Sequence, residues 1–87
     1  MIDNKDAGRF ERKENGLLVW AEYRIRDGKY LIPHVEAELP LRGTGAAGRL
    51  MQDIVDHARA GQLVIVPRCS YARAWFASHP EAQDVLD

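Results

Sequence analysis

Residues 41–50, Leu41-Arg42-Gly43-Thr44-Gly45-Ala46-Ala47-Gly48-Arg49-Leu50, join an extended segment to the only long amphipathic helix in the chain. Three glycines and two alanines within positions 43–48 strip side chains from a helix N-terminus. The first N–H groups of a helix lack partners and its dipole is positive there, so an anion can approach closely. The chain must therefore build strand, loop and helix in that order, and the ligand suited to the joint is a phosphate or pyrophosphate. The plainer alternative is a turn that binds nothing, although one glycine would suffice for a turn and a cap. Two phosphate loops fail on their own requirements. Gly43, Gly45 and Gly48 satisfy G-x-G-x-x-G, but dinucleotide binding needs an acidic residue about 20 positions further on. Pro67-Arg68 stand there. Gly43 and Gly48 also have the spacing of G-x-x-x-x-G-K-[ST], but Arg49-Leu50 replace its Lys and its Mg-binding hydroxyl.

Length limits what can surround this joint. Eighty-seven residues make one small domain with one modest core. Hydrophobic and charged fractions of 46% and 29% are those of an ordinary globular chain. A net charge of −1 gives no global pull toward nucleic acid or an anionic membrane. No apolar run approaches the ~20 residues of a membrane span. Residues 1–8 are polar, unlike a signal peptide, so the expected location is cytoplasmic. One cysteine excludes an internal disulfide and a cysteine-based zinc site, and no metal site is expected.

Along the chain, residues 1–8 are expected as a flexible tail. Residues 9–14 read as a short charged strand, and Asn15-Gly16 as a hairpin turn. In residues 17–26, Val19, Ala21, Tyr23 and Ile25 point one way, and Trp20, Glu22, Arg24 and Arg26 the other. Asp27-Gly28 signals a second hairpin. In residues 29–38, Tyr30, Ile32, His34 and Glu36 share one face, and Leu31, Pro33, Val35 and Ala37 the other. Pro33 removes a ladder donor, so an edge, a bulge or a break is expected there. A helix over about 45–60 puts Ala47, Leu50, Met51, Ile54, Val55 and Ala58 on one stripe, and Gly61 ends it. Residues 63–66 read as a strand buried on both faces, parallel to its predecessor through a right-handed crossover. A last helix spans about 70–78, with Tyr71, Ala74 and Trp75 inward. The fold class is α/β: an antiparallel meander, one β-α-β crossover and a C-terminal helix on a mixed sheet.

A third phosphate pattern remains for the glycine loop. Arg42, Gly45 and Ala47 fit [RQ]-x-x-G-x-[GA], the pyrophosphate loop of the GNAT superfamily of N-acetyltransferases. Three further segments carry the same likeness. His34-Val35-Glu36 resembles the H-T-E of a small, single-domain GNAT-like family (YjdJ-type), with Val35 where Thr is usual. Val66-Pro67-Arg68-Cys69-Ser70-Tyr71 resembles its V-P-x-C-x-[FY]. Residues 71–81 resemble its closing [FY]-x-x-x-[YW]-[IF]-x-x-H-P-E. Four motifs in order cover about residues 10–86, in a domain placed at 9–87. The resemblance implies acetyl-coenzyme A as cosubstrate and an amine acceptor, a small molecule or a protein. It implies a pyrophosphate on the N–H groups of Arg42, Gly43, Thr44, Gly45, Ala46, Ala47 and Gly48. It also implies a pantetheine arm along residues 34–38, lined by Leu39, Leu41, Ser70 and Tyr71. The helices that shape the acceptor pocket of larger relatives are missing, so that site would be open or completed by a partner. The chain would act as a monomer or weak homodimer, with neither nucleic acid nor membrane as partner.

Acyl transfer to an amine needs a deprotonated nucleophile, a positioned thioester and stabilisation of the oxyanion. His34 and Glu36, two residues apart, are the candidate bases; the plainer readings are a structural histidine and a surface carboxylate. Cys69 precedes a helix beside Arg68, a setting that favours a thiolate and a covalent acetyl-cysteine. Its plainer reading is a small core cysteine. Tyr71 is a candidate proton donor to the leaving thiolate, or a core aromatic. His79 is expected to cap the last carbonyls of its helix. The alternative function is a non-catalytic module that binds coenzyme A or an acyl-coenzyme A.

Overall fold

The computed structural model describes residues 1–87 as a five-stranded sheet in the order β1-β2-β3-β4-β5. The strands are β1 (Ile2–Asn4), β2 (Arg9–Glu14), β3 (Leu17–Arg26), β4 (Lys29–Ala37) and β5 (Val64–Pro67). The first four are antiparallel, and β5 runs parallel to β4. Helix α1 (Ala46–Gly61) crosses between β4 and β5, and α2 (Ser70–Ala77) follows. Two 3-10 turns, Leu39–Leu41 and Pro80–Val85, complete the chain. This is the mixed α/β architecture expected from the residues. No helix is long and apolar enough to cross a membrane.

Both helices lie on one face of the sheet, because one apolar cluster joins them to it. Phe10, Val19, Ala21, Ile32 and Ile65 from the strands meet Leu50, Met51, Ile54, Val55 and Ala58 of α1 and Ala72, Trp75 and Phe76 of α2. Leu50, Met51, Ile54 and Val55 are fully buried. Each contributes about 1.5–3 kcal/mol relative to an exposed position. The α1 stripe is thus the one read from helical spacing except in its first turn, where Ala46 is buried and Ala47 only partly so.

Four expectations need correction. Residues 1–8 carry β1, whose Ile2, Asp3 and Asn4 pair with Glu11, Phe10 and Arg9. The Tyr23 hydroxyl donates to Asp3 at 2.6 Å and ties the strand down. Helix α1 runs through Gly61, and the left-handed residue that ends it is Gln62, at φ +55°. The Gln62 N–H returns to the Ala58 and Arg59 carbonyls. Strand β5 is the sheet edge, so only Ile65 of it is fully buried. Helix α2 buries Ala72, Trp75 and Phe76, and leaves Tyr71 and Ala74 exposed, because its apolar stripe sits over the first turn of α1 and the 80–85 turn.

Pro33 does mark a bulge, and the bulge reverses the strand's faces. From Glu22 to Arg24 is two steps on β3, while their partners His34 and Leu31 are three steps apart on β4. The extra residue lies at Ile32-Pro33, where proline's missing N–H leaves no broken ladder bond. Tyr30 and Ile32 pack on the core before it, and Val35 and Ala37 after it. His34 and Glu36 therefore face the helix-free side, opposite to the face that Ile32 shares.

Candidate active site

The glycine loop folds around two left-handed residues, Gly43 at φ +77° and Gly45 at φ +89°. Gly45 is the N-cap of α1 and offers no side-chain acceptor to its first turn. Thr44 braces the loop: its Oγ1 donates to the Leu41 carbonyl at 2.5 Å and accepts the Ala46 N–H at 3.3 Å. The N–H groups of Gly43, Gly45, Ala47 and Gly48 have no partner in the chain. They open on a cavity of about 390 Å³ walled by Ala37, Leu41, the loop and Tyr71.

Cations frame this opening. The Arg42 Nε donates to the Ala37 carbonyl and its Nη2 to Glu36 Oε1, both at 3.0 Å. Glu36 Oε2 lies 3.1 Å from His34 Nε2. His34, Glu36 and Arg42 thus form one chain of contacts from the helix-free face to the cavity rim. On the other side, Arg49 reaches back from α1 to the Thr44 carbonyl at 3.2 Å. Glu14 of β2 holds it with two bonds, at 2.7 and 2.8 Å. A Cβ on Gly45 would stand 2.9 Å from Arg49 Nη1, so glycine is what lets that guanidinium close on the loop. Arg49, and then Arg12, depress the Glu14 carboxyl to about 2.

The β4 edge beside the cavity is open. Strand β5 pairs with β4 only from Lys29 to Ile32. The Ile32 carbonyl then accepts the N–H groups of Arg68 and Cys69, at 2.9 and 3.2 Å, as the two strands part. Residues 34–37 have no strand neighbour on that side.

The expected site residues separate into groups. Leu41, Arg42, Gly43, Gly45, Ala46, Ala47, Gly48 and Tyr71 line the cavity. Leu39, Thr44 and Ser70 do not: Leu39 is 72% exposed on its 3-10 turn, and Thr44 is occupied bracing the loop. Cys69 sits where β4 and β5 part, but its Sγ is the N-cap of α2, accepting the Ala72 N–H at 3.4 Å. His34 and Glu36 stand behind the cavity rather than in its wall. Burial, and then Cys69, raise the Tyr71 phenol above its usual range, so it stays protonated at neutral pH. His79 caps α2 as expected, its ring N–H donating to the Trp75 carbonyl at 2.6 Å. Sequence reasoning missed Arg49 and named Ala37 only as part of the 34–38 segment. A basic residue one turn into a helix whose N-cap is glycine was the available signal for Arg49.

The family follows from a match of residues 9–85 to the GCN5-related N-acetyl-transferase family. The chain belongs to that family. Its fold is similar to the solution structure of a candidate GCN5-like N-acetyltransferase from Staphylococcus aureus. The TM-score is 0.64 at 23% identity, covering 93% of this chain and 90% of that one. No curated protein sequence matches the chain significantly. Membership associates the domain with acetyl transfer.

Proposed function

We propose that this protein binds acetyl-coenzyme A and transfers its acetyl group to an amine. The observation that carries the reading is the set of unpartnered N–H groups at Gly43, Gly45, Ala47 and Gly48, opening beside an unpaired strand edge. The donors suit a pyrophosphate. The β4 edge from His34 to Ala37 suits an arm carrying amides, which can bond to a free edge as a strand does. Arg42 and Arg49 supply positive charge on either side of the loop. When bound, the cosubstrate supplies the acetyl group as an activated thioester.

The remaining work falls to the chain. With its Nε2–H donated to Glu36, the His34 imidazole presents a bare Nδ1 that can take the proton of an incoming amine. Glu36 fixes that tautomer, and Arg42 fixes Glu36. Tyr71, held protonated at the cavity wall, is the proton donor available to a leaving thiolate. Cys69 is the N-cap of α2 in this reading and carries no acetyl group.

Calorimetry tests binding, with acetyl-coenzyme A, free coenzyme A and NADP as ligands. The expected result is micromolar or tighter binding of the coenzyme A pair alone. An amine screen with the wild type and His34→Gln then tests turnover, with kcat lowered by about 10²–10⁴ in the variant. Preference for NADP, or no binding, would refute the reading. Tight binding without turnover over a broad amine panel would instead assign a non-catalytic acyl-coenzyme A module.

A further inference from the structure

Helix α2 packs against the first turn of α1, and the residue at that contact is Trp75. Trp75 is 8% exposed, so more than nine-tenths of it is buried. Its ring is held by two aromatic neighbours. It stacks on His79 at 4.0 Å and 13°, and meets Phe76 edge-on at 5.1 Å and 89°. His79 is itself fixed, because its Nδ1 bonds the Trp75 carbonyl; a carbonyl only accepts, so Nδ1 carries the hydrogen. A ring clamped this way points its N–H in one direction.

The indole nitrogen lies beside Gly48. Trp75 Nε1 stands 3.5 Å from the point a Gly48 Cβ would occupy, and the Tyr71 hydroxyl stands 3.8 Å from the same point. Gly48 and Tyr71 both line the cavity. The indole N–H has no hydrogen-bond partner in the chain, although buried indole N–H groups usually have one. No fully buried side-chain nitrogen or oxygen is unpaired. The indole nitrogen is therefore not fully buried, and the gap that glycine leaves at position 48 lies 3.5 Å from it.

The groups around that gap are donors. The Tyr71 hydroxyl and the Trp75 indole stand together at that gap, the Ala47 and Gly48 N–H groups are unpartnered on the same turn of α1, and no carboxylate lines the cavity. We propose that Trp75 is a ligand-binding residue: its indole N–H donates to a pyrophosphate oxygen of the bound coenzyme A, with Tyr71 beside it. The site is then a half-ring of backbone donors on α1 closed by two side chains from α2. The proposal rests on the coenzyme A reading given above.

The test uses the full chain, whose two tryptophans give two indole signals. Trp20→Phe assigns them. On titration of the 15N-labelled protein with dephospho-coenzyme A, the Trp75 indole proton is expected to shift downfield at saturation while Trp20 stays still. Trp75→Phe keeps the ring and deletes the donor. It is expected to weaken coenzyme A and dephospho-coenzyme A alike by about tenfold and to leave pantetheine binding unchanged. An indole signal that does not move at saturation overturns the proposal, even if the variant does not fold. So does a variant that binds with wild-type affinity, or one that loses affinity only for ligands bearing the 3′-phosphate. Wild-type protein that binds neither nucleotide sinks the coenzyme A reading itself, a different outcome from binding with a silent indole.

Discussion

Gly48→Ala separates stability from binding at one carbon atom. Gly48 is the third residue of α1 and is not among the positive-φ glycines, so alanine fits its backbone. An added Cβ would meet Trp75 Nε1 at 3.5 Å, Tyr71 Oη at 3.8 Å and Trp75 Cδ1 at 4.0 Å, all ordinary contacts. Nothing has to move. Alanine in place of a helical glycine is worth roughly 0.5–1 kcal/mol, mostly through the unfolded chain. In a domain of this size that raises Tm by about 2–8 °C. The methyl group, however, fills the gap beside the indole nitrogen that the Trp75 proposal gives to a phosphate oxygen. A phosphate oxygen needs to lie about 2.7–3.0 Å from such donors. The methyl, 3.5 Å from the indole nitrogen, would crowd an oxygen approaching from that side. The variant is therefore expected to melt higher than wild type while binding coenzyme A at least about tenfold more weakly. Thermal melts by circular dichroism and calorimetric titration on the same preparation measure both quantities. A lower Tm would mean that the α1–α2 contact is tighter than its distances state. Undiminished binding would mean that ligands do not approach Gly48, and the cradle would have to be sought elsewhere.

Two other perturbations test the frame around the site. Glu14 has its carboxyl depressed to about 2 by Arg49 and Arg12. A depressed acid contributes stability above its unfolded value and loses it as pH falls through the folded value. Wild-type Tm should thus fall between about pH 4.5 and 2 more steeply than that of Glu14→Gln, and parallel pH–Tm curves would show that the pair does not couple to folding. At Cys69, Ser is a better N-cap than Ala, so Cys69→Ser should keep wild-type stability and Cys69→Ala should lose about 0.5–1 kcal/mol by urea titration. Both should keep acetyl transfer, and loss of turnover in both would restore the covalent role.

The parts of the site legible in the sequence are those whose chemistry is local. Glycines at 43 and 45 require left-handed backbone, and the structure has φ values of +77° and +89° there. The α1 stripe follows from spacing over a helix of 16 residues, long enough to fix its phase. Helix α2 has 8 residues, and its phase is set by what it lies against, so Ala72 and Phe76 displace Ala74 from the core. Strand β1 has too short a pattern to announce itself. Its place comes from pairing with Phe10 and Glu11 and from the Tyr23–Asp3 bond, made over 20 residues of sequence. The Arg49–Glu14 pair spans 35 residues and is invisible to any local pattern. Trp75 reads as core in the sequence and is core in the structure. What the sequence cannot state is that its one polar atom faces a glycine on another helix.

The bulge at Pro33 shows how one backbone irregularity can organise a site. In an unbroken strand, His34 would share the face of Tyr30 and Ile32 and be buried beneath the helices. The extra residue reverses the alternation, sending His34 and Glu36 to the open face and keeping Val35 and Ala37 on the core side. Ala37 then lines the cavity while the base candidates stand on the other side of the same strand. Strand β5 pairs only as far as Ile32, so the edge between these two faces is uncovered where they meet. Arg42 spans that edge, its Nε donating to the Ala37 backbone carbonyl and its Nη2 to Glu36 on the open face. In the proposed acetyl-transfer reading, a ligand lying on the uncovered edge would reach both the donors of the loop and the His34–Glu36 pair, and an amine would arrive from the face that no helix covers. The position of a proline and the length of the neighbouring strand thus decide together that the cavity and the His34–Glu36 pair lie on opposite faces of one strand.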